Sequence, residues 1–167
     1  MSASVTKRYC IDANVLIQAW QKYYSPKFCT DYWKILSDLG KQGIIFIPQT
    51  VSEEIIKTDD DLATWLKQSG IPVHEIDSVV TKCLQDIYAK DPVHKYLVDN
   101  TKQRSLADPW VIAHAIKANA CVVTKENKEL ASTTRIKIPN VCDNMGVLWI
   151  DDFKFIEELK LRFSCHL

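Results

Sequence analysis

At 167 residues, with 47% hydrophobic and 25% charged content, the chain has the size and make-up of one globular domain, and a single domain over 1–167 is expected. Its 21 basic and 21 acidic residues cancel, so no net field draws it onto nucleic acid and any polyanion binding must come from local patches. The apolar runs fall far short of the roughly 18 to 20 residues of a membrane span, and the start of the chain lacks an apolar signal core; a cytoplasmic protein without a membrane partner is expected.

Along the chain, Tyr9-Cys10-Ile11 is a short apolar run that stops at Asp12, and after Ala13 and Asn14 a fresh apolar run begins at Val15. The pattern predicts a buried first strand whose end delivers a carboxylate, which is where open α/β sheets place their chemistry. Capping of the next helix by Asp12 or Asn14 accounts for the same residues equally well. Phe28, Tyr32, Ile35, Leu36 and Leu39 then recur at helical spacing, which predicts a helix over 27–39 ended by Gly40 and Gly43. Ile44 to Ile47 predicts a second buried strand. After it, Thr50 and Glu53 fit a capping box, whereas Glu54 is left unexplained at the edge of the face that meets the sheet.

The stretch from about 60 to 100 is predicted mainly helical, with one stripe of Leu62, Trp65 and Leu66 and another of Val79, Val80, Cys83, Leu84 and Ile87, and with a short edge strand over 73–76. Asp108-Pro109 opens an apolar helix, with Asp108 as its N-cap or as a first-turn carboxylate capped by Ser105. Cys121 to Thr124 predicts a third strand, followed by Lys125 and Glu126, and Val147 to Ile150 a last one. Phe153, Ile156, Leu159 and Phe163 place a closing helix over 151–163, whose acidic start, Asp151 and Asp152, suits the helix dipole and needs no chemistry. The cysteines are scattered without any Cys-x-x-Cys spacing, so they are expected to be reduced, with Cys10 and Cys121 acting as small buried hydrophobes and no zinc site.

Strands alternating with helices imply an α/β fold with a parallel sheet. Such a sheet gathers strand ends and helix starts at one edge, and so brings Asp12, Glu54, Asp108 and Glu126 together. Carboxylates crowded in this way repel one another unless a cation neutralises them, and a hard divalent ion, Mg²⁺ or Mn²⁺, prefers oxygen ligands. Such an ion orients and activates a water and stabilises charge on a phosphodiester.

The ordered set Tyr9-Cys10-Ile11-Asp12-Ala13-Asn14-Val15-Leu16-Ile17, Val51-Ser52-Glu53-Glu54-Ile55, Ala107-Asp108-Pro109-Trp110-Val111-Ile112-Ala113 and Val123-Thr124-Lys125-Glu126 resembles the PIN-domain ribonucleases, of the kind found as toxins in bacterial toxin–antitoxin pairs. It resembles most a little-described branch with a Val-Thr-x-Glu motif followed by a segment like Lys137-Ile138-Pro139-Asn140-Val141-Cys142. The resemblance implies a three-layer α/β/α sandwich, a Mg²⁺- or Mn²⁺-dependent endoribonuclease, a small antitoxin and a homodimer. It implies metal-binding roles for Asp12, Glu54, Asp108 and Glu126, with Glu126 standing where many relatives have Asp and reaching an ion through water. It implies the motif hydroxyl for Thr124, and an orienting role toward Asp12 for Asn14. Asn127 and Lys128 follow Glu126 where many relatives offer a further acid, which weakens the case for a second tightly held ion.

For RNA, Lys125, Lys128, Arg135 and Lys137 lie near the expected site and Lys102 and Arg104 just before Asp108, although scattered lysines more often simply solvate a surface. Tyr23 and Tyr24 offer stacking surfaces, with core or dimer packing the plainer reading. His114 turns away from the face of Asp108 and is read as structural, and His74, His94 and His166 lack partners for general-base work. The alternative function is a PIN-like scaffold without catalysis that binds RNA or a protein. A phosphatase is disfavoured, since Asn14 stands where a second Asp would be wanted and the chain's four glycines form no phosphate-cradling loop.

Overall fold

The computed structural model describes residues 4–99, 101–103, 105–130 and 135–167, so Arg104 lies outside the described residues. Its sheet is built from β1 (Tyr9–Ile11), β2 (Ile45–Pro48), β3 (Val73–His74), β4 (Cys121–Val123) and β5 (Trp149–Ile150), all parallel, in the order β3-β2-β1-β4-β5. The chain steps outward from β1 through β2 to β3, then crosses to the other flank of β1 for β4 and β5. The strand order therefore reverses between β1 and β4, and the crevice beyond their carboxyl ends is where open α/β sheets bind ligands.

The pleat separates the two faces. Cys10 turns its thiol toward the Val111 carbonyl (3.6 Å) of α6 (Asp108–Ala118), whereas Tyr9 turns to the opposite face and meets Phe155 of α8 (Asp152–Glu158) edge-on at 5.1 Å. Helices thus cover both faces, and the three-layer α/β/α arrangement holds. β1, β2 and β4 are buried throughout because apolar helices close over them from both sides, and full burial of a side chain such as Phe46 or Phe155 stabilises by about 2–3 kcal/mol.

Several expected elements differ in detail. The helix expected over 27–39 is α2 (Thr30–Lys41); Phe28 lies ahead of it, 70% exposed, and Gly40 lies inside it. A Cβ on Gly40 would sit 2.7 Å from the Ile71 Cα, so this glycine permits a close backbone approach instead of ending the helix; Gly43, at φ +72°, makes the turn. The helix after β2, α3 (Gln49–Ile56), begins at Gln49, which puts Thr50 within the first turn. The expected capping box is absent: Glu53 accepts from Gln49 Nε2 (2.8 Å), and Thr50 Oγ1 is buried without a partner. Two helices carry the middle stripes, α4 (Asp61–Gln68) and α5 (Ser78–Lys90), though Val79 faces outward. In α8 the core residue is Phe155, and Phe153 is exposed. All six cysteines are unpaired thiols. No helix among the described residues is long and apolar enough to cross a membrane.

Candidate active site

The register of β1 on β4 pairs Ile11 with Val123, so the next residues of each strand, Asp12 and Thr124, stand side by side. Asp12 N–H donates to the Val123 carbonyl (3.0 Å), which continues the ladder by one bond. The Asp12 carboxylate is buried. Its Oδ1 accepts from Ala13 N–H (2.8 Å), capping α1 (Ala13–Gln18), and its Oδ2 accepts from Thr124 Oγ1 (2.8 Å). Cap and site candidate are thus the same group.

Thr124 Oγ1 is a hub: it donates to Asp12 and accepts from Glu126 N–H (3.1 Å) and Asn14 Nδ2 (3.5 Å). Asn14 Oδ1 in turn accepts from Lys125 N–H (3.0 Å). Asn14 was expected to orient Asp12; it acts one step back, lacing the turn after β4 to the start of α1.

Asp108 opens α6 in its first turn, with a side-chain hydrogen bond to Ser105, as one of the two sequence readings has it. The parallel topology brings it over the same sheet edge. Burial, reinforced by Asp12 and Glu126, pushes its carboxyl up to about 8. Burial also pushes Asp12 up to about 7, with Glu126 and Glu54 adding to the rise against the bonds from Thr124 and Ala13. Glu54 stands exposed at the rim; partial burial raises it and Lys57 counters. Asp12 and Asp108 are therefore within electrostatic reach of each other and of both Glu54 and Glu126.

Glu126 has a second commitment that its sequence context does not show. Its Oε2 accepts from Ile138 N–H (2.9 Å) at the start of α7 (Ile138–Met145), and its Oε1 lies 3.8 Å from Lys137 Nζ. It clamps the start of the loop after β4 to the start of α7 while adding charge to the pocket.

Two lysines expected to meet RNA are occupied otherwise. Lys125 Nζ forms a buried ion pair with Asp152 (2.9 Å) and lies over the rings of Tyr23 (4.2 Å) and Phe153 (4.4 Å). Asp152, set aside as a dipole effect, is thus a buried partner that the sequence reading missed; only a full burial pattern for α8 would have exposed it. Lys128 pairs with Asp143 at the surface (2.7 Å). Tyr24 stacks on the buried Tyr32 (4.4 Å) and serves internal packing, whereas Tyr23, 47% exposed, meets the exposed Phe153 edge-on at the surface. His114 is buried, as expected for a structural residue, with neither ring nitrogen bonded.

The donor set is all oxygen, which suits a hard divalent cation. Among the described residues no three His, Cys, Asp or Glu side chains converge closely enough to hold an ion by themselves. The acids fit an ion that keeps several of its waters, as Mg²⁺ does.

The model of a family described as a domain of unknown function (DUF4411) matches residues 9–163. Among the solved structures similar to this one is that of VapBC2 from Rickettsia felis bound to a DNA fragment from their promoter, 18% identical, with a TM-score of 0.54, covering 86% of this chain and 97% of the other. At that identity the likeness shows a shared fold. No curated protein matches the sequence.

Proposed function

We propose that this chain, which belongs to the DUF4411 family, is a Mg²⁺- or Mn²⁺-dependent endoribonuclease that hydrolyses RNA phosphodiester bonds, and the toxin of a bacterial toxin–antitoxin pair. One observation carries the reading: Asp12 and Asp108, both held far above the ordinary carboxylate range, share the crevice where the strand order reverses. Buried acids kept this close are costly to the fold unless they serve a cation, and perturbed carboxylates in such a crevice mark a reaction site. The PIN-like resemblance of the four motifs and the fold shared with the VapBC2 structure support the same reading.

When bound, the cation neutralises the acids, polarises a water and stabilises charge on the phosphodiester. Asp12 and Asp108 hold it, while Glu54 and Glu126 complete the negative pocket from the rim and from the α7 clamp. Thr124 fixes the Asp12 carboxylate, and Asn14 fixes Thr124. Lys137, beside Glu126 at the edge of the pocket, is placed to meet a phosphate of the RNA. A small antitoxin and a second copy of the chain are its protein partners.

The test is incubation of wild-type protein and Asp12→Asn with total RNA in Mg²⁺, in Mn²⁺ and in chelator. Cleavage by the wild type with metal alone is expected. Equal cleavage by both proteins removes Asp12 from the mechanism, and no cleavage together with no ion binding by calorimetry leaves a non-catalytic scaffold.

A further inference from the structure

On α3, Thr50, Glu54 and Lys57 fall at positions i, i+4 and i+7, one stripe of the helix. Opposite that stripe lie Leu106 and Trp110, and between the two is a groove of about 660 Å³ that reaches the candidate active site through Glu54. Two features of its lining are open to a ligand. Leu106 is 47% exposed, and Trp110 is only partly buried, leaving apolar and aromatic surface in the groove. Lys57 supplies an exposed cation at the far end of the stripe, against the negative charge of the pocket.

A ligand that satisfies both has a flat apolar ring and an anionic group about one helical turn from Glu54. A nucleotide of single-stranded RNA has this form: bases stack on aromatic side chains regardless of sequence, and phosphates pair with lysines. The volume is that of a small-ligand pocket, enough for one or two nucleotides.

We infer, resting on the nuclease reading above, that this groove is a nucleotide-binding subsite next to the scissile phosphate, with the base against Trp110 and Leu106 and the flanking phosphate on Lys57. The cleaved strand enters the site past Glu54.

The subsite is tested with a labelled single-stranded RNA decamer, by anisotropy in chelator and by steady-state cleavage with Mn²⁺, for wild type, Lys57→Glu, Trp110→Ala and Trp110→Phe. Lys57→Glu, at an exposed position, reports on the groove independently of any effect of Trp110→Ala on folding. Lys57→Glu and Trp110→Ala are expected to raise Kd and KM about tenfold, and Trp110→Phe to recover most of the loss, since stacking survives on the smaller ring. Kd and KM within twofold of wild type for both Lys57→Glu and Trp110→Ala overturn the subsite and leave the groove to a protein partner. Wild type that binds the decamer through these residues yet never cleaves it keeps the subsite and sinks the nuclease reading.

Discussion

Thr124 Oγ1 donates to Asp12 Oδ2 at 2.8 Å, across the ends of two neighbouring parallel strands, and this bond acts against the burial and the acids that push the Asp12 carboxyl up to about 7. Thr124→Val removes the donor and keeps the shape. A hydrogen bond to a charged group contributes about 1.5–3 kcal/mol, so the acidic limb of the pH–rate profile is expected to move up by about one to two pH units. Thr124→Ser is expected to restore it. An unmoved limb in Thr124→Val means that Asp12 does not titrate in the reaction.

Without metal, Asp12 and Asp108 bind protons more tightly in the folded chain than at their ordinary value of 3.8. Their contribution therefore favours the fold at low pH and is lost as pH rises from about 4 through 7 and 8, the reverse of a salt-bridged carboxylate. Asp12→Asn in chelator is expected to melt higher than wild type at pH 8 and at the same temperature at pH 4. Added Mg²⁺ is expected to raise the wild-type melting temperature at pH 8 and to leave Asp12→Asn unmoved. Identical melting curves for the two proteins across this range would show that Asp12 is not a strained acid.

The Lys125–Asp152 pair is almost wholly buried, with side chains 11% and 1% exposed. Lys125→Met leaves Asp152 charged without a partner, which costs about 3–5 kcal/mol, whereas changing both residues to apolar ones of similar size is expected to recover most of that. Urea unfolding of the two single variants and the double variant measures it. A single-variant loss under about 1 kcal/mol would mean that water reaches Asp152.

Glu126 combines a helix clamp with a pocket charge, and the two separate by substitution. Glu126→Gln keeps an acceptor for Ile138 N–H, so its stability stays near wild type while divalent-cation affinity falls about tenfold, the loss of one charged interaction. Glu126→Ala loses the clamp as well and about 1 kcal/mol of stability. Calorimetric titration with Mn²⁺ and thermal melts distinguish them; unchanged affinity in Glu126→Gln assigns Glu126 to the fold alone.

Alanine is normally better in a helix than glycine by about 1 kcal/mol. At Gly40 the sign is expected to reverse, because the new methyl would meet Ile71 Cα and Cγ1 at 2.7 Å. Gly40→Ala should lower stability by about 1–3 kcal/mol, the usual cost of overpacking. A gain in melting temperature would show that α2 and the segment at Ile71 that leads into β3 slide apart freely.

The parallel sheet was legible because its three central strands are unbroken apolar runs, and Asp12 and Asp108 because one follows a strand and the other opens a helix; Glu54, inside α3, and Glu126, in the loop past β4, stood out only by the motifs around them. What misled was local chemistry that another part of the chain overrides. Thr50 and Glu53 have capping-box spacing, but α3 starts earlier, directly after Pro48. Gly40 sits where a helix stop is plausible, and only the approach of Ile71 explains it. Lys125 stands beside a site motif, yet its partner, Asp152, lies 27 residues on, beyond what spacing can reveal. Glu126 likewise reaches 12 residues ahead to Ile138.

Both outermost strands of the sheet, β3 and β5, are only two residues long. An incoming peptide finds no row of open N–H and C=O groups there, so the sheet cannot be lengthened by strand addition, and edge-to-edge aggregation is blocked by the same economy.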